Sequence, residues 1–375
     1  MLSSKERLLT VLELGQPDRV PITAFIYPQF VSDLMKCPIW KVEEIPYSYE
    51  YQIQSSKMLG LDGKCIIEIP GTFIEDTQLE ERSKNYFVTS AELKSPTGSL
   101  KLRWRKSHDL PTWQLNPMIK DESEIDQLQY VISNLLSGWK SYSVACSKAK
   151  EKIGDEGIVG PQFLTPTAWA TYFARGIENF VKDLHGNINF AEKLIELGYE
   201  YHTKIGVDIA IDSESDFINL AWNPYINPKF FEKYDVPYLQ REIDRAHKAG
   251  LKAILLMDGR ANKFLELAVS TGADAIEPLD PPTLANGDIV LSDVKKRIGK
   301  KICLIGNVDT INVLLRGSIN DVEEAVKNCI IDAAKGGGYI LSTSEYVCKN
   351  TSMINMETFV RAGLKYGNYP IQYAK

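Results

Sequence analysis

Carboxylates are the residues in this chain best placed to do chemistry. Several apolar runs carry acids at their ends, and three lead the candidates: GVDIAIDSE carries Asp212 and Glu214, LLMDG carries Asp258, and GYILSTSE carries Glu345. Like charges held close together raise a carboxyl pKa, and a carboxyl kept protonated near neutral pH is a proton donor. Asp212 and Glu214 share one face of a strand if the strand extends that far, with Ser213 on the other. A solvated acidic loop explains DSESD equally well. Asp258 precedes Gly259, as a turn residue would, whereas Glu345 follows the buried run YILSTS, where a turn is not expected. We expect Asp212, Asp258 and Glu345 to converge in one pocket as the catalytic groups, as either a proton relay or a hard-metal site. With no His or Cys among them, oxygen ligands at Asp258 and Glu345 would suit magnesium, manganese or calcium. Tyr27, Gln162, Glu214, Trp222, Glu277, Asn307, Asp309 and Tyr346 are the expected substrate-site residues, the aromatic ones as walls and the polar ones as hydrogen-bonding partners.

Other chemistries lack their residues. The four histidines, His108, His185, His202 and His247, avoid the ends of the apolar runs, which argues against a histidine-based metal site or a Ser-His-Asp triad. No P-loop, no G-x-G-x-x-G after a strand and no G-x-S-x-G elbow occurs. The six cysteines form no C-x-x-C, and Cys65 and Cys303 lie inside apolar runs, so reduced, structural thiols are expected.

The acids need a scaffold, and the chain supplies a repeating one. Eight short apolar runs read as strands: Val20–Tyr27, Lys64–Pro70, Gly157–Leu164, Gly206–Glu214, Lys252–Gly259, Ala273–Leu279, Lys301–Asp309 and Gly338–Glu345. Helical patterns separate most of them, so the expected fold is α/β, a (β/α)8 TIM-type barrel. Its active site would lie at the C-terminal strand ends, where Glu68, Asp212, Glu214, Asp258, Glu277, Asn307, Asp309 and Glu345 fall. Ser3 and Ser4 can cap an N-terminal helix running to Gly15, and Pro17 and Pro21 break it. Residues 85–106 alternate around PTG and read as a β-hairpin insertion. Helices are expected over about 121–152, 177–204 and 229–249, and from Ser318 or Asn320 to the GGG stop at 336–338. One domain over residues 1–375 is the simplest organisation.

The composition is that of a globular protein, 44% hydrophobic and 25% charged, with a net charge of −6 and no basic stripe suited to nucleic acid. No apolar run is long enough to span a bilayer, and the N-terminus has no signal-peptide core. A cytoplasmic protein with a small-molecule substrate is expected.

Several phrases together resemble the uroporphyrinogen decarboxylase superfamily, especially its corrinoid-linked methyltransferase branch. They are KERLLTVLELGQPDRVPI, GPQFLTPTAWATYFARGIENFVKDLHGN, GVDIAIDSES with INPKFFEKYDVPYLQREIDRAHKAG, LLMDG, GADAIEPLDPP, IGNVD and GGGYILSTSE. The resemblance implies a barrel with an N-terminal helical extension, a site acid at Asp212, and a homodimer. True decarboxylases of this kind carry an arginine-rich RQAGRY segment that pairs substrate carboxylates; the corresponding FIYPQF (Phe25–Phe30) has no arginine. The methyltransferase branch carries a zinc site, H-x-C after strand five and a Cys after strand eight. Here the matching positions read Leu256, Met257, Asp258 and Glu345, so all three ligands are replaced, and Cys348 lies three residues beyond. The implied activity is that of a methyltransferase component acting between a small methyl donor, such as a methoxylated compound, and a corrinoid held by a partner protein. A decarboxylase-like lyase on a carboxylic acid or tetrapyrrole is the alternative, and a non-catalytic corrinoid- or tetrapyrrole-binding protein the third; the fold does not choose among them.

Overall fold

The computed structural model describes residues 2–44, 48–71, 74 and 77–372. Among the described residues, eleven strands form two sheets: β1 (Gly63–Glu68), β2 (Gln78–Arg82), β3 (Tyr86–Ser95), β4 (Gly98–Ser107), β5 (Trp113–Gln114), β6 (Gly157–Leu164), β7 (Phe217–Ala221), β8 (Lys252–Leu256), β9 (Ala275–Glu277), β10 (Cys303–Val308) and β11 (Tyr339–Thr343). Seven of them form one parallel sheet in the order β1-β6-β7-β8-β9-β10-β11. β7, β9, β10 and β11 are buried at every residue, as expected of parallel strands covered on both faces.

The eighth strand expected at Val20–Tyr27 is reduced to a short extended segment, because Pro21 has no N–H to give a ladder. It still lies between the sheet's two edges. Leu341 N donates to Pro21 O and Thr23 N to Leu341 O on one side, while Asp62 N donates to Ile22 O on the other. The result is a curled (β/α)8 TIM-type architecture, with crossover helices such as Val236–Lys248 and Ile319–Ala333 outside.

The segment 206–214, expected as the fourth strand, is helical: the helix spans Lys204–Asp212 and the strand is the next apolar run, Phe217–Ala221. Gly206, Val207, Ile209 and Ala210 are buried, the i, i+1, i+3, i+4 spacing of a helix face. Gly206 lies so close to the Phe163 ring that a Cβ would sit 2.3 Å from it, so this face packs on β6.

The helix Ser4–Leu12, closed by a Ser3–Glu6 capping box, plugs the N-terminal end of the barrel. Its Leu8, Val11 and Leu12 join Ile158, Phe217, Ile254, Cys303, Ile305 and Ile340 in a core separate from the main one. Asp62, with a wholly buried side chain, clamps that end. It accepts from Ser4 Oγ at 2.7 Å, Arg7 Nη1 at 2.7 Å, Arg19 Nη1 at 2.7 Å and Ile22 N at 2.8 Å. The predicted hairpin is β3–β4, widened by β2 and β5 into a four-stranded antiparallel sheet.

Candidate active site

The C-terminal strand ends gather acids, and among the described residues only Glu277 of these strand-end acids pairs with a cation there, Lys64. After β8, Asp258 is held by Trp222, whose Nε1–H donates to Asp258 Oδ1 at 3.0 Å and to its carbonyl at 3.2 Å. Gly259 follows with φ +74°, a conformation that favours glycine, and its N–H donates to Asp280 Oδ2 at 2.6 Å. That turn couples the loop after β8 to the loop after β9. Glu345, just past β11, accepts from Tyr346 N at 3.3 Å. Among the described residues, no Lys, Arg or His forms an ion pair with Asp258, Asp280 or Glu345.

Burial without a counter-ion disfavours charge. It pushes the Glu345 carboxyl up to about 8, with help from Asp280 and Asp258. It pushes Asp280 up to about 7, where the Gly259 N–H opposes and Asp258 and Asp309 add to the rise. Asp258 is raised too, mainly by burial, against the pull of the Trp222 hydrogen bond. Asp280 is 1% exposed, and its Oδ1 has no partner.

A second acid neighbours the first group through Tyr346. Burial and then Glu43 push Glu68 to about 7. Tyr346 feels both Glu68 and Glu345, and burial drives its hydroxyl pKa far up. Tyr27, Gln162, Glu68 and Tyr346 line one small cavity at the top of the barrel, where Tyr27 Oη and Gln162 Oε1 are buried and unpartnered. Of the expected site residues, then, Asp258 and Trp222 form one contact, and Tyr27, Gln162 and Tyr346 meet beside Glu345.

The others are placed differently. Asp212 and Glu214 are exposed where their helix ends. They adjoin Asp216, which exchanges hydrogen bonds with Val159 near the start of β6, so DSESD lies at the opposite end of the barrel from Glu345. Asp212 therefore does not converge with Asp258 and Glu345. Glu277 is wholly buried inside the barrel, paired with Lys64 and accepting from Asn219 Nδ2 at 2.6 Å. Asn307 donates to Leu279 O at 2.8 Å. Asp309 caps the π-helical turn Thr310–Leu315 through Ile311 N at 2.8 Å and Asn312 N at 2.7 Å; burial alone would raise its pKa, but these bonds and those of Thr283 and Asn312 side chains lower it.

The sequence reading missed Asp280, Glu43 and Tyr172. Asp280 follows a strand in EPLDPP, so the rule that nominated Asp258 applies to it as well. Tyr172 has no such mark; it sits in the π-helical turn Ala170–Arg175 and is recognisable only in three dimensions.

The donor set does not fit a thiolate-ligated zinc. At the three ligand positions Leu256 cannot ligate and Asp258 and Glu345 offer oxygen instead of sulfur, while the Cys348 thiol is raised by burial, Asp309 and Glu345 rather than ionised. Among the described residues, no three His, Cys, Asp or Glu side chains are grouped to hold a metal ion.

The uroporphyrinogen decarboxylase (URO-D) family profile matches residues 104–366. A uroporphyrinogen decarboxylase from Pseudoalteromonas translucida is 22% identical over 210 residues, 53% of this chain and 56% of its own length. The methylcobamide:CoM methyltransferase MtbA of Methanosarcina mazei is 26% identical over 247 residues, 63% of this chain and 64% of its own. The chain thus spans between half and two thirds of these relatives. A solved methyltransferase structure from Methanosarcina mazei superposes over 98% of this chain and 99% of that one, with TM-score 0.69 and 16% identity, which establishes the shared fold.

Proposed function

Because the chain belongs to the uroporphyrinogen decarboxylase (URO-D) family, we propose that it is a methyl-transfer component, moving a methyl group from a small donor to a corrinoid carried by a partner protein. The observation that carries this reading is the group of buried, uncompensated carboxyls at the strand ends, with Glu345 held protonated up to about pH 8. A methyl ether is a poor methyl donor until its oxygen receives a proton as the C–O bond breaks. Glu345 supplies that proton: the bond's electron pair stays on oxygen, oxygen takes the proton, and the methyl passes to the acceptor. Asp258 and Asp280 keep the proton on Glu345 until it is needed. The bound corrinoid, when present, supplies the nucleophile. Decarboxylation of a polycarboxylate is less well supported, because its carboxylates would meet further acids rather than the arginines they need.

The test is anaerobic mixing of the protein with free cob(I)alamin and methoxylated donors, following the cobalamin spectrum. Methyl transfer by the wild-type protein, reduced roughly 10²- to 10⁴-fold in Glu345→Gln, is expected. Equal rates in the two proteins, or carbon dioxide release from a carboxylic substrate without methyl transfer, would overturn the proposal.

A further inference from the structure

Asp258 is a loop carboxyl with a single neighbour to hold it. Among the described residues, Trp222 is the one neighbour that donates to it, sharing its indole N–H between Oδ1 at 3.0 Å and the Asp258 carbonyl at 3.2 Å. We propose that Trp222 is the positioning residue of this site, committing one oxygen of Asp258 and leaving the other, Oδ2, for the substrate. A buried brace of Asn223, Thr167, Thr171 and Asp235 keeps the indole aimed. The inference deepens the methyl-transfer reading and rests on it for its kinetics. A carboxyl free to rotate would meet a substrate in several poses, whereas one that is already oriented spares the reaction that cost.

The indole can orient Asp258 because it is itself held on two sides. Its main chain is in register with β8, where Trp222 N donates to Leu256 O at 3.1 Å. Its ring stands edge-on to Phe264 at 4.6 Å and 85°, and to Phe231 at 6.2 Å and 80°. Those two rings meet each other at 5.8 Å and 82°. Edge-to-face packing is the favoured arrangement of aromatic rings, and all three are buried, so the plane of the indole is fixed.

The brace fixes the next residue along. Asn223 Nδ2 donates to Thr171 Oγ1 at 2.7 Å and to Thr167 O at 3.2 Å. Thr171 Oγ1 donates to the same Thr167 carbonyl at 2.8 Å, and Asn223 Oδ1 accepts from Tyr225 N at 3.0 Å. Asp235 accepts from both the amide and the hydroxyl of Thr167. All four brace residues are fully buried, so water does not replace a lost bond, and the network is costly to break.

Rings and brace share one root. Asp235 N donates to Phe231 O at 3.0 Å, so the end of the helix Pro228–Tyr234 carries both a ring behind the indole and the acid beneath Thr167. On the far side of Asp258, the loop is tied down by the bond from Gly259 N to Asp280. The carboxyl is thus oriented by supports that never meet the substrate, the arrangement a precise site requires.

The test is the indole N–H spectrum of the full-length protein labelled with nitrogen-15 at tryptophan, six signals in all. Trp222→Phe keeps a ring in place, deletes the N–H, and identifies the Trp222 signal by its loss. In Asp258→Ala that signal should move upfield, because its acceptor is gone. In Asn223→Ala it should move the same way by a smaller amount, with Trp222 and Asp258 both intact. In the cob(I)alamin assay, Trp222→Phe should lower kcat/KM roughly 10- to 100-fold, the cost of a carboxyl displaced by about 1 Å. Asp258→Ala alters no tryptophan, so it decides the matter even where Trp222→Phe does not fold: a spectrum in which no indole signal moves would overturn the proposal. An Asn223→Ala spectrum identical to wild type, or an undiminished kcat/KM in Trp222→Phe, would overturn it too. Signals that move in both variants of a protein that transfers no methyl group would uphold the positioning role and defeat the functional reading alone.

Discussion

Replacing Glu345 by Gln should stabilise the protein at alkaline pH and leave it unchanged in acid. The Glu345 carboxyl rises from its ordinary 4.5 to about 8 in the fold, through burial first and then Asp280 and Asp258. At about 1.36 kcal/mol per pH unit, that gap sets a ceiling of about 5 kcal/mol on the penalty for ionising it in place. Because the folded pKa is the raised one, the stability is present below pH 4.5, drains as pH climbs toward about 8, and is level above that. Asp280 titrates in the same group, so part of the penalty belongs to the pair, and about 3 kcal/mol is a reasonable share for Glu345. Gln fills the same space without a charge and does not drain. With an unfolding entropy of about 2.1 cal/mol/K per residue over 375 residues, about 3 kcal/mol corresponds to about 4 °C in Tm. Urea and thermal unfolding of both proteins at pH 5 and pH 9 measure the effect. A Gln variant less stable than wild type at pH 9, or a difference of the same size at both pH values, would refute the account of Glu345 as a buried, uncompensated acid.

Further outcomes follow from the same geometry. Methyl-transfer rate should fall as pH rises through about 8, where Glu345 loses its proton; a kcat–pH profile flat to pH 9 would remove Glu345 as the acid. Asp62→Ala should cost roughly 3–5 kcal/mol in urea unfolding, because it leaves the buried Arg7 without one of its carboxylate partners, with Asp18 its remaining one. Asp212→Asn should change stability by less than about 0.5 kcal/mol and leave turnover intact, since Asp212 is exposed at the far end of the barrel.

The repeating pattern of apolar runs made the barrel legible, and the way the runs ended put Asp258 and Glu345 at its C-terminal strand ends. Two things were not. GVDIAID has the length, branching and continuous apolarity of a buried strand, and only its packing on Phe163 through Gly206 makes it a helix. The error carried Asp212 and Glu214 to the wrong end. Partnership is the other gap. Glu277, Asn307 and Asp309 all end strands as Glu345 does, but Lys64, the Leu279 carbonyl and the Ile311 and Asn312 amides occupy them. Those partners lie far away in sequence or emerge only from a turn's geometry, so spacing along the chain cannot tell an occupied acid from a free one. Glu345 and Asp280 stand out only once it is known that, among the described residues, no cation pairs with them.

The helix Ser4–Leu12 closes the N-terminal end of the barrel with a packed core, which leaves the C-terminal strand ends as the face through which the acids are reached. Under the proposed activity, donor, demethylated product and methyl-accepting protein all approach through that one face. Under the proposed activity, the order of events is imposed by architecture: the donor enters before the acceptor docks, and the product waits until it departs. Excess acceptor protein should therefore inhibit turnover by covering that face of the empty enzyme before the donor arrives.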